Sequence, residues 1–333
     1  MSLPIVAYSH RPPSEGPALL ADSADVRIWV HDRSPTRDEL IVHARDAVAL
    51  CFFVPDHIDA AVMDQLPALR ILAGFGKGFD NVDVPAATER GIWVTSVPAA
   101  LTAATADLAW ALLLANARGV VCGDARVREH PDIGWDVAAE LGRAVTGATI
   151  GVYGFGLVGR AIAERSLGFR MSVLYCDPTP AAREVEERLG ARRVDAAALL
   201  AQADFVVLAV PLVDATYHLI DAAALAQMKP TAILVNPARG SIVDEVAIAQ
   251  ALDCGMLAGY AADVFEHEDR QYAGRPARLG SALVGDRRRT VFTPHLGTAV
   301  KADRAALALA QARSVRSVLV GERPDAAVNV LHR

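Results

Sequence analysis

The chain has 333 residues, a 53% apolar content, only 6% aromatics and a formal net charge of −6. That length suggests about two domains with ample cores, rich in Ala, Val and Leu as buried parallel strands and small-residue helices require. Charges of both signs are scattered along the chain, with no basic stripe to suit nucleic acid and no acidic tail to suit disorder. Cys51, Cys122, Cys176 and Cys254 lie far apart without a CxxC pair, the pattern of reduced thiols in a cytoplasmic protein. Met1 to His10 lacks the basic-then-apolar order of a signal peptide, and the longest apolar run, Leu108 to Ala115, is too short to span a bilayer. No membrane partner is expected.

In chain order, Pro4–Ser9, Val26–Val30, Val48–Val54, Arg70–Gly74 and Ile92–Ser96 read as short strands between helical patterns. Thr36 with Glu39 makes a capping box for a helix running toward Arg45. Thr102 to Arg118 is helix-forming and apolar nearly all round, so it belongs between layers or at a subunit interface. A polar, irregular segment runs from Arg128 to Gly147. Strands return at Thr149–Tyr153, Ser172–Cys176, Phe205–Val210, Ala232–Val235, Ala258–Ala262 and Thr290–Thr293, and a helix from Lys301 to Val320 closes the chain. The alternation predicts an α/β fold with parallel sheets.

The second series opens on a glycine fingerprint, Gly154-Phe-Gly156-Leu157-Val158-Gly159, set between a strand and a helix. The first glycine permits a tight turn, the second lets backbone approach a pyrophosphate, and the third lets helix and strand pack closely. The helix N-terminus adds N–H groups and a positive dipole end. Asp177, followed by Pro178, ends the next strand; a carboxylate there accepts the adenosine ribose hydroxyls and repels a 2′-phosphate, so NAD is the expected cofactor. Further cofactor contacts are expected at Thr105, Ala209, Val210 and Pro211, and later at Pro237, Ala238, Arg239, Asp263, His295 and Gly297.

Three later segments carry candidate chemistry. Asn236-Pro-Ala-Arg239-Gly240 follows a buried strand, so Arg239 emerges where open α/β sheets bind ligands, with a planar fork for an oxyanion. Asp263-Val-Phe-Glu266-His267-Glu268 follows the next strand, and Thr293-Pro-His295-Leu-Gly297 the last. His295 can exchange a proton near neutral pH. No cluster has metal-ligand spacing, so no catalytic metal is expected.

These motifs, in this order over nearly the whole chain, resemble the D-isomer-specific 2-hydroxyacid dehydrogenases. The resemblance implies that Arg239 binds the substrate oxyanion, that His295 is the acid/base, and that Glu268 holds His295 and raises its pKa; Glu266 falls at a variable position. It implies two Rossmann-like or flavodoxin-like parallel-sheet domains, with an NAD-binding domain over residues 102–293 inserted into a substrate domain made of residues 1–101 and 294–333. Val97–Thr102 and Pro294–Thr298 would be the hinges of a closing cleft. It also implies a homodimer through the helix Thr102–Arg118.

The loop Gly74-Phe-Gly-Lys77-Gly78-Phe-Asp-Asn81 looks like that of the phosphonate (phosphite) dehydrogenases, as do Gly134-Trp135 and Gly259-Tyr-Ala-Ala-Asp-Val-Phe-Glu-x-Glu-Asp. Lys77 beside Arg239 suits a compact dianion, so phosphite oxidation to phosphate is the first expectation. The substrate contacts are then Lys77, Gly78, Leu101, Trp135, Arg239 and Thr298. Val54 and Glu140 break that branch's pattern. The alternative is a D-2-hydroxyacid dehydrogenase or 2-oxoacid reductase acting on glyoxylate, hydroxypyruvate or a similar acid. A rival of another class is a non-catalytic NAD sensor of the corepressor kind; such proteins tend to add interaction segments and disordered tails, and a last helix close to the final residue of this sequence leads to the expectation of an enzyme instead. Formate-oxidising relatives carry Gln where Glu268 stands.

Overall fold

The computed structural model describes residues 2–97, 102–135, 137, 141–272 and 274–331. The chain divides into two compact units, one comprising Met1–Leu101, Glu268–Ala273 and Thr298–Arg333, the other Thr102–His267 and Gly274–Gly297.

The first unit holds a parallel sheet of β1 (Ile5–Tyr8), β2 (Asp25–Ile28), β3 (Ala49–Phe52), β4 (Ile71–Gly74) and β5 (Trp93–Thr95), in the order β2-β1-β3-β4-β5. β3 and β4 are buried throughout, because helices cover both faces. Thr36 and Glu39 form the capping box that opens the helix Arg37–Ala44. The last helix, Lys301–Leu319, lays Ala312, Val315 and Val318 against Val6, Tyr8 and Leu20. Its buried Gln311 donates from Nε2 to the Ala73 carbonyl at 2.8 Å.

The second unit has seven parallel strands: β6 (Thr149–Tyr153), β7 (Ser172–Cys176), β8 (Ala191–Arg193), β9 (Phe205–Leu208), β10 (Ile233–Asn236), β11 (Gly259–Ala262) and β12 (Thr290–Phe292). Their order, β12-β11-β10-β9-β6-β7-β8, reverses between β6 and β9. That reversal makes the crevice where such sheets take ligands. The helix Thr102–Ala117 buries Trp110, Leu112 and Leu113 against Ile150, Val152 and Phe205, and the Trp110 indole donates to the Ile162 carbonyl at 3.0 Å.

Some elements differ from the sequence reading. β8 was not expected; it is an edge strand of Ala-Arg-Arg with only Ala191 buried, so it carries no apolar run to see. A helix Val120–Glu129 reaches into the segment expected to be irregular, and none of its residues is buried. Thr293 to Gly297 stays with the second unit, so the return to the first falls at Thr298 rather than Pro294, while Glu268–Ala273 goes with the first unit. The other expected crossing includes residues 98–101, outside the described residues. Among the described residues no single helix is long and apolar enough to cross a membrane; the one pair that passes together, Thr102–Ala117 and Val120–Glu129, bends by 61°.

At the carboxyl ends of β1 and β3 lies a buried polar cluster. Asp56, 2% exposed, accepts hydrogen bonds on Oδ2 from the Ser9 hydroxyl and, at 2.8 Å, from the Phe53 N–H. His10 Nδ1 lies 3.1 Å from the same hydroxyl. Burial pushes the Asp56 carboxyl up to about 6, against the pull of Ser9, Phe53 and Arg270. Burial, then the Arg270 charge, pushes His10 down to about 4. A carboxyl raised in the folded state contributes most below its unfolded pKa, and that contribution is lost as pH rises through the folded value. Asn at this position can still accept from Ser9 and Phe53. Measured against Asp56→Asn, wild-type stability should therefore fall between about pH 4 and about pH 7, by up to about 3 kcal/mol. Denaturant titrations across that window check it, and parallel curves for the two proteins would contradict it.

Candidate active site

The glycine loop follows β6. Gly154 has φ +92°, and a Cβ there would lie 2.5 Å from the Ala209 carbonyl oxygen. A Cβ on Gly159 would lie 2.1 Å from the Gly154 carbonyl oxygen. Both positions therefore require glycine for packing. Gly156 is different: nothing stands within 4 Å of a Cβ built on it, so one side of the loop is open to a ligand. The helix Leu157–Ser166 starts there without a side-chain cap, directing the Leu157 and Val158 end of its dipole toward that open side. Asp177, just past β7, accepts from the Phe155 N–H at 2.7 Å and the Thr179 N–H at 2.9 Å, which aims its carboxylate beside the glycine loop. Ala209, Val210 and Pro211 follow β9 on the other flank of the sheet reversal, with the Ala209 N–H bonded to the Tyr153 carbonyl at 2.7 Å. An open glycine loop, an uncapped helix start and a fixed acid fit a dinucleotide.

The same carboxyl edge continues through β10, β11 and β12. Asn236 bridges the turn after β10, donating to the Arg239 carbonyl at 2.8 Å and accepting from the Ala238 N–H at 3.1 Å. This turn, Pro237-Ala238-Arg239, packs backbone to backbone on the next segment: a Cβ on Gly240 would lie 1.8 Å from the Phe265 carbonyl carbon. Two buried carboxylates complete the clasp. The Glu245 N–H donates to Glu266 Oε1 at 2.8 Å, and the Glu266 N–H donates to Glu245 Oε1 at 2.9 Å. His218 Nε2 lies 3.4 Å from Glu266 Oε1.

Asp263, at the end of β11, is 1% exposed. Its carboxylate accepts from the Thr293 hydroxyl at 2.6 Å, the Leu296 N–H at 2.6 Å and the Gly297 N–H at 2.8 Å. Its carbonyl accepts the His295 N–H at 2.8 Å. Burial pushes the Asp263 pKa up, and the Thr293 hydroxyl, the Leu296 N–H, the His295 side chain and the Gly297 N–H oppose that rise. Held this way, His295 takes a left-handed backbone, φ +55°, that a non-glycine residue rarely adopts unaided. Thr105 Oγ1 meets the Gly297 carbonyl at 3.4 Å. In the second unit the glycine loop, Asp177, Ala209–Pro211, Pro237–Arg239, Asp263, His295 and Gly297 thus follow the carboxyl ends of β6, β7, β9, β10, β11 and β12, while Thr105 reaches Gly297 from the helix Thr102–Ala117.

Lys77, Gly78, Glu268 and Thr298 belong to the first unit. Lys77 and Gly78 are exposed on the loop after β4. Asn81 in that loop donates to the Asp56 carbonyl at 2.7 Å and the Phe53 carbonyl at 3.0 Å, and Asp80 accepts from Gln271 at 3.4 Å. The Asp80-Asn81 part of the substrate-loop string therefore shapes the loop. Glu268 closes the short turn Glu266–Glu268. Thr298 leads into the last helix, with its carbonyl accepting the Val300 N–H at 2.8 Å. Trp135 is 89% exposed. Leu101 and Glu140 lie outside the described residues. Sequence reasoning passed over Glu245 and read Glu266 as variable; their only signal was an acid opening a helix and an acid inside a motif already assigned.

Residues 110–297 match the family described as D-isomer specific 2-hydroxyacid dehydrogenase, NAD binding domain. The chain is 40% identical over 330 residues to a protein named glyoxylate reductase from Thermococcus onnurineus, covering 98% of this chain and 96% of that one. It is 41% identical over 330 residues to the glyoxylate reductase of Pyrococcus furiosus, covering 98% and 95%. The crystal structure of the TT0316 protein from Thermus thermophilus superposes with a TM-score of 0.86 at 36% identity, covering 98% of this chain and 100% of that one. Those full-length similarities do not carry the resemblance to phosphonate dehydrogenases, and the relatives' names agree better with the 2-oxoacid alternative. The chain belongs to the D-isomer specific 2-hydroxyacid dehydrogenase family and is an NAD-dependent dehydrogenase.

Proposed function

We propose that this enzyme reduces small 2-oxoacids, glyoxylate or hydroxypyruvate among them, to the corresponding 2-hydroxyacids. The observation that carries this reading is the alignment of Arg239, Asp263 and His295 at the ends of three neighbouring strands, on the sheet edge that begins with the glycine loop. Near full-length similarity to proteins named glyoxylate reductase supports the substrate class.

NADH, when bound, supplies the hydride to the carbonyl carbon. The residues do the rest. The Arg239 guanidinium pairs with the substrate carboxylate and with charge gathering on the carbonyl oxygen. His295, in its protonated form, gives its proton to that oxygen as the C–O bond becomes a hydroxyl. Glu268 is assigned the role of steadying His295. One oxoacid, one NADH and one proton thus yield one hydroxyacid and one NAD. Asp263 takes no proton in this scheme; it holds the His295 turn. Backbone N–H groups around Gly78 are assigned to the carboxylate from the first unit. Leu101, Trp135 and Thr298 keep their proposed substrate roles.

Phosphite oxidation remains the second reading, and one observation favours it: Lys77 is exposed on the loop after β4 and offers a further cation. A homodimer is part of the proposal as well. The expected face, the helix Thr102–Arg118, buries Trp110, Leu112 and Leu113 in the second unit's own core, so the proposal moves the contact to the exposed Val120, Val121 and Val127 of the next helix.

A substrate panel separates the readings. Glyoxylate and hydroxypyruvate should each drive NADH consumption, and phosphite should drive no NAD reduction. NADH formation from phosphite, with neither oxoacid reduced, would overturn the proposal. For the acid/base, His295→Asn should lower turnover of glyoxylate by about 10²-fold or more, the usual scale for a lost proton donor. Glu268→Gln should lower turnover of glyoxylate by roughly tenfold or more, because the side chain assigned to steady the proton donor is lost. Turnover equal to wild type would remove Glu268 from this role.

A further inference from the structure

β8 ends on Arg193, opposite Tyr175 of β7 in the parallel ladder. From there its side chain reaches over the end of β7. Nε and Nη2 donate to the Asp177 carbonyl at 3.1 and 2.9 Å, and Nη2 also donates to the Pro178 carbonyl at 2.9 Å. One guanidinium therefore ties two consecutive carbonyls of the turn that carries the Asp177 carboxylate. Arg193 is exposed, and its Nη1 makes no hydrogen bond among the described residues. The other charges nearby are otherwise engaged. Arg192 donates to Gln202 at 3.1 Å, and Asp195 caps the next helix through the Ala198 N–H at 2.7 Å.

An acid at the end of this strand suits the two ribose hydroxyls of NAD, whereas a neighbouring Arg suits a 2′-phosphate. This turn has both. The guanidinium fork is the side chain best matched to phosphate, and it is exposed beside the very turn whose carboxylate would repel that phosphate.

We propose that Arg193 is a specificity-determining residue for the dinucleotide. It holds the Asp177 turn in place and keeps a cation beside it, so that selection against a 2′-phosphate rests on the Asp177 carboxylate alone. This inference rests on the reading of Asp177 as the ribose ligand. Removing the carboxylate then unmasks a phosphate-binding Arg that is already positioned.

The test is calorimetric titration of NADH and NADPH into wild type, Asp177→Ser, Arg193→Ala, the double variant, and Asp177→Ser with Arg193→Lys. Asp177→Ser should weaken NADH and tighten NADPH by about tenfold or more, and the double variant should lose most of the NADPH gain while its NADH affinity stays within about threefold of that of Asp177→Ser. The Lys variant should keep a substantial part of the gain, because it keeps the charge. An equal gain with and without Arg193, or an equal loss of both dinucleotides in Arg193→Ala, would overturn the proposal and leave Asp177 untouched. If Asp177→Ser alters neither affinity, the ribose reading itself fails and the inference falls with it.

Discussion

A single buried carboxylate organises the end of the second sheet on which the proposed chemistry stands. Asp263 lies almost wholly out of water and takes hydrogen bonds from Thr293, Leu296 and Gly297, while its own carbonyl takes the N–H of His295. A carboxyl group in such a place is tolerated only when its oxygens are satisfied. The turn between Thr293 and Gly297 is thus shaped to satisfy Asp263. Holding His295 in a left-handed backbone is a consequence of that turn. The same bonds explain why this segment stays with the second unit although it immediately precedes the return to the first.

Neighbouring strand ends are fixed by comparably strict contacts. The Arg239 turn touches the Phe265 backbone so closely that only glycine fits at 240, and Glu245 with Glu266 closes the contact by reciprocal bonds. At the other end of the sheet reversal, Gly154 meets Ala209 in the same way. Side chains mounted on a rigid parallel sheet and locked through short turns keep the geometry that hydride and proton transfer demand.

Much of this was legible beforehand because parallel strands buried on both faces are short, continuous apolar runs whose ends are marked by Gly, Pro and Asp. β6 and β7 fell where the sequence placed them. β3 is shorter than Val48–Val54, because the Phe53 N–H leaves the ladder for the Asp56 carboxylate. β8 escaped notice since its two arginines face water, yet one of them holds the Asp177 turn. The Glu245–Glu266 clasp and the His295 backbone depend on partners far away in sequence, which no local pattern reveals. The phosphite expectation came from the loop string together with Gly134-Trp135 and the stretch from Gly259 to Asp269; Asp80 and Asn81 in the loop have structural partners, so that string says less about the substrate than its length suggests.

The central claim is that this sheet edge directs hydride to one face of a 2-oxoacid carbonyl. It is tested most directly by reducing hydroxypyruvate with NADH carrying deuterium at both C4 positions and analysing the product. The account predicts glycerate of the D configuration only, with the label on its second carbon. L-glycerate, a racemate, or product without the label would contradict it.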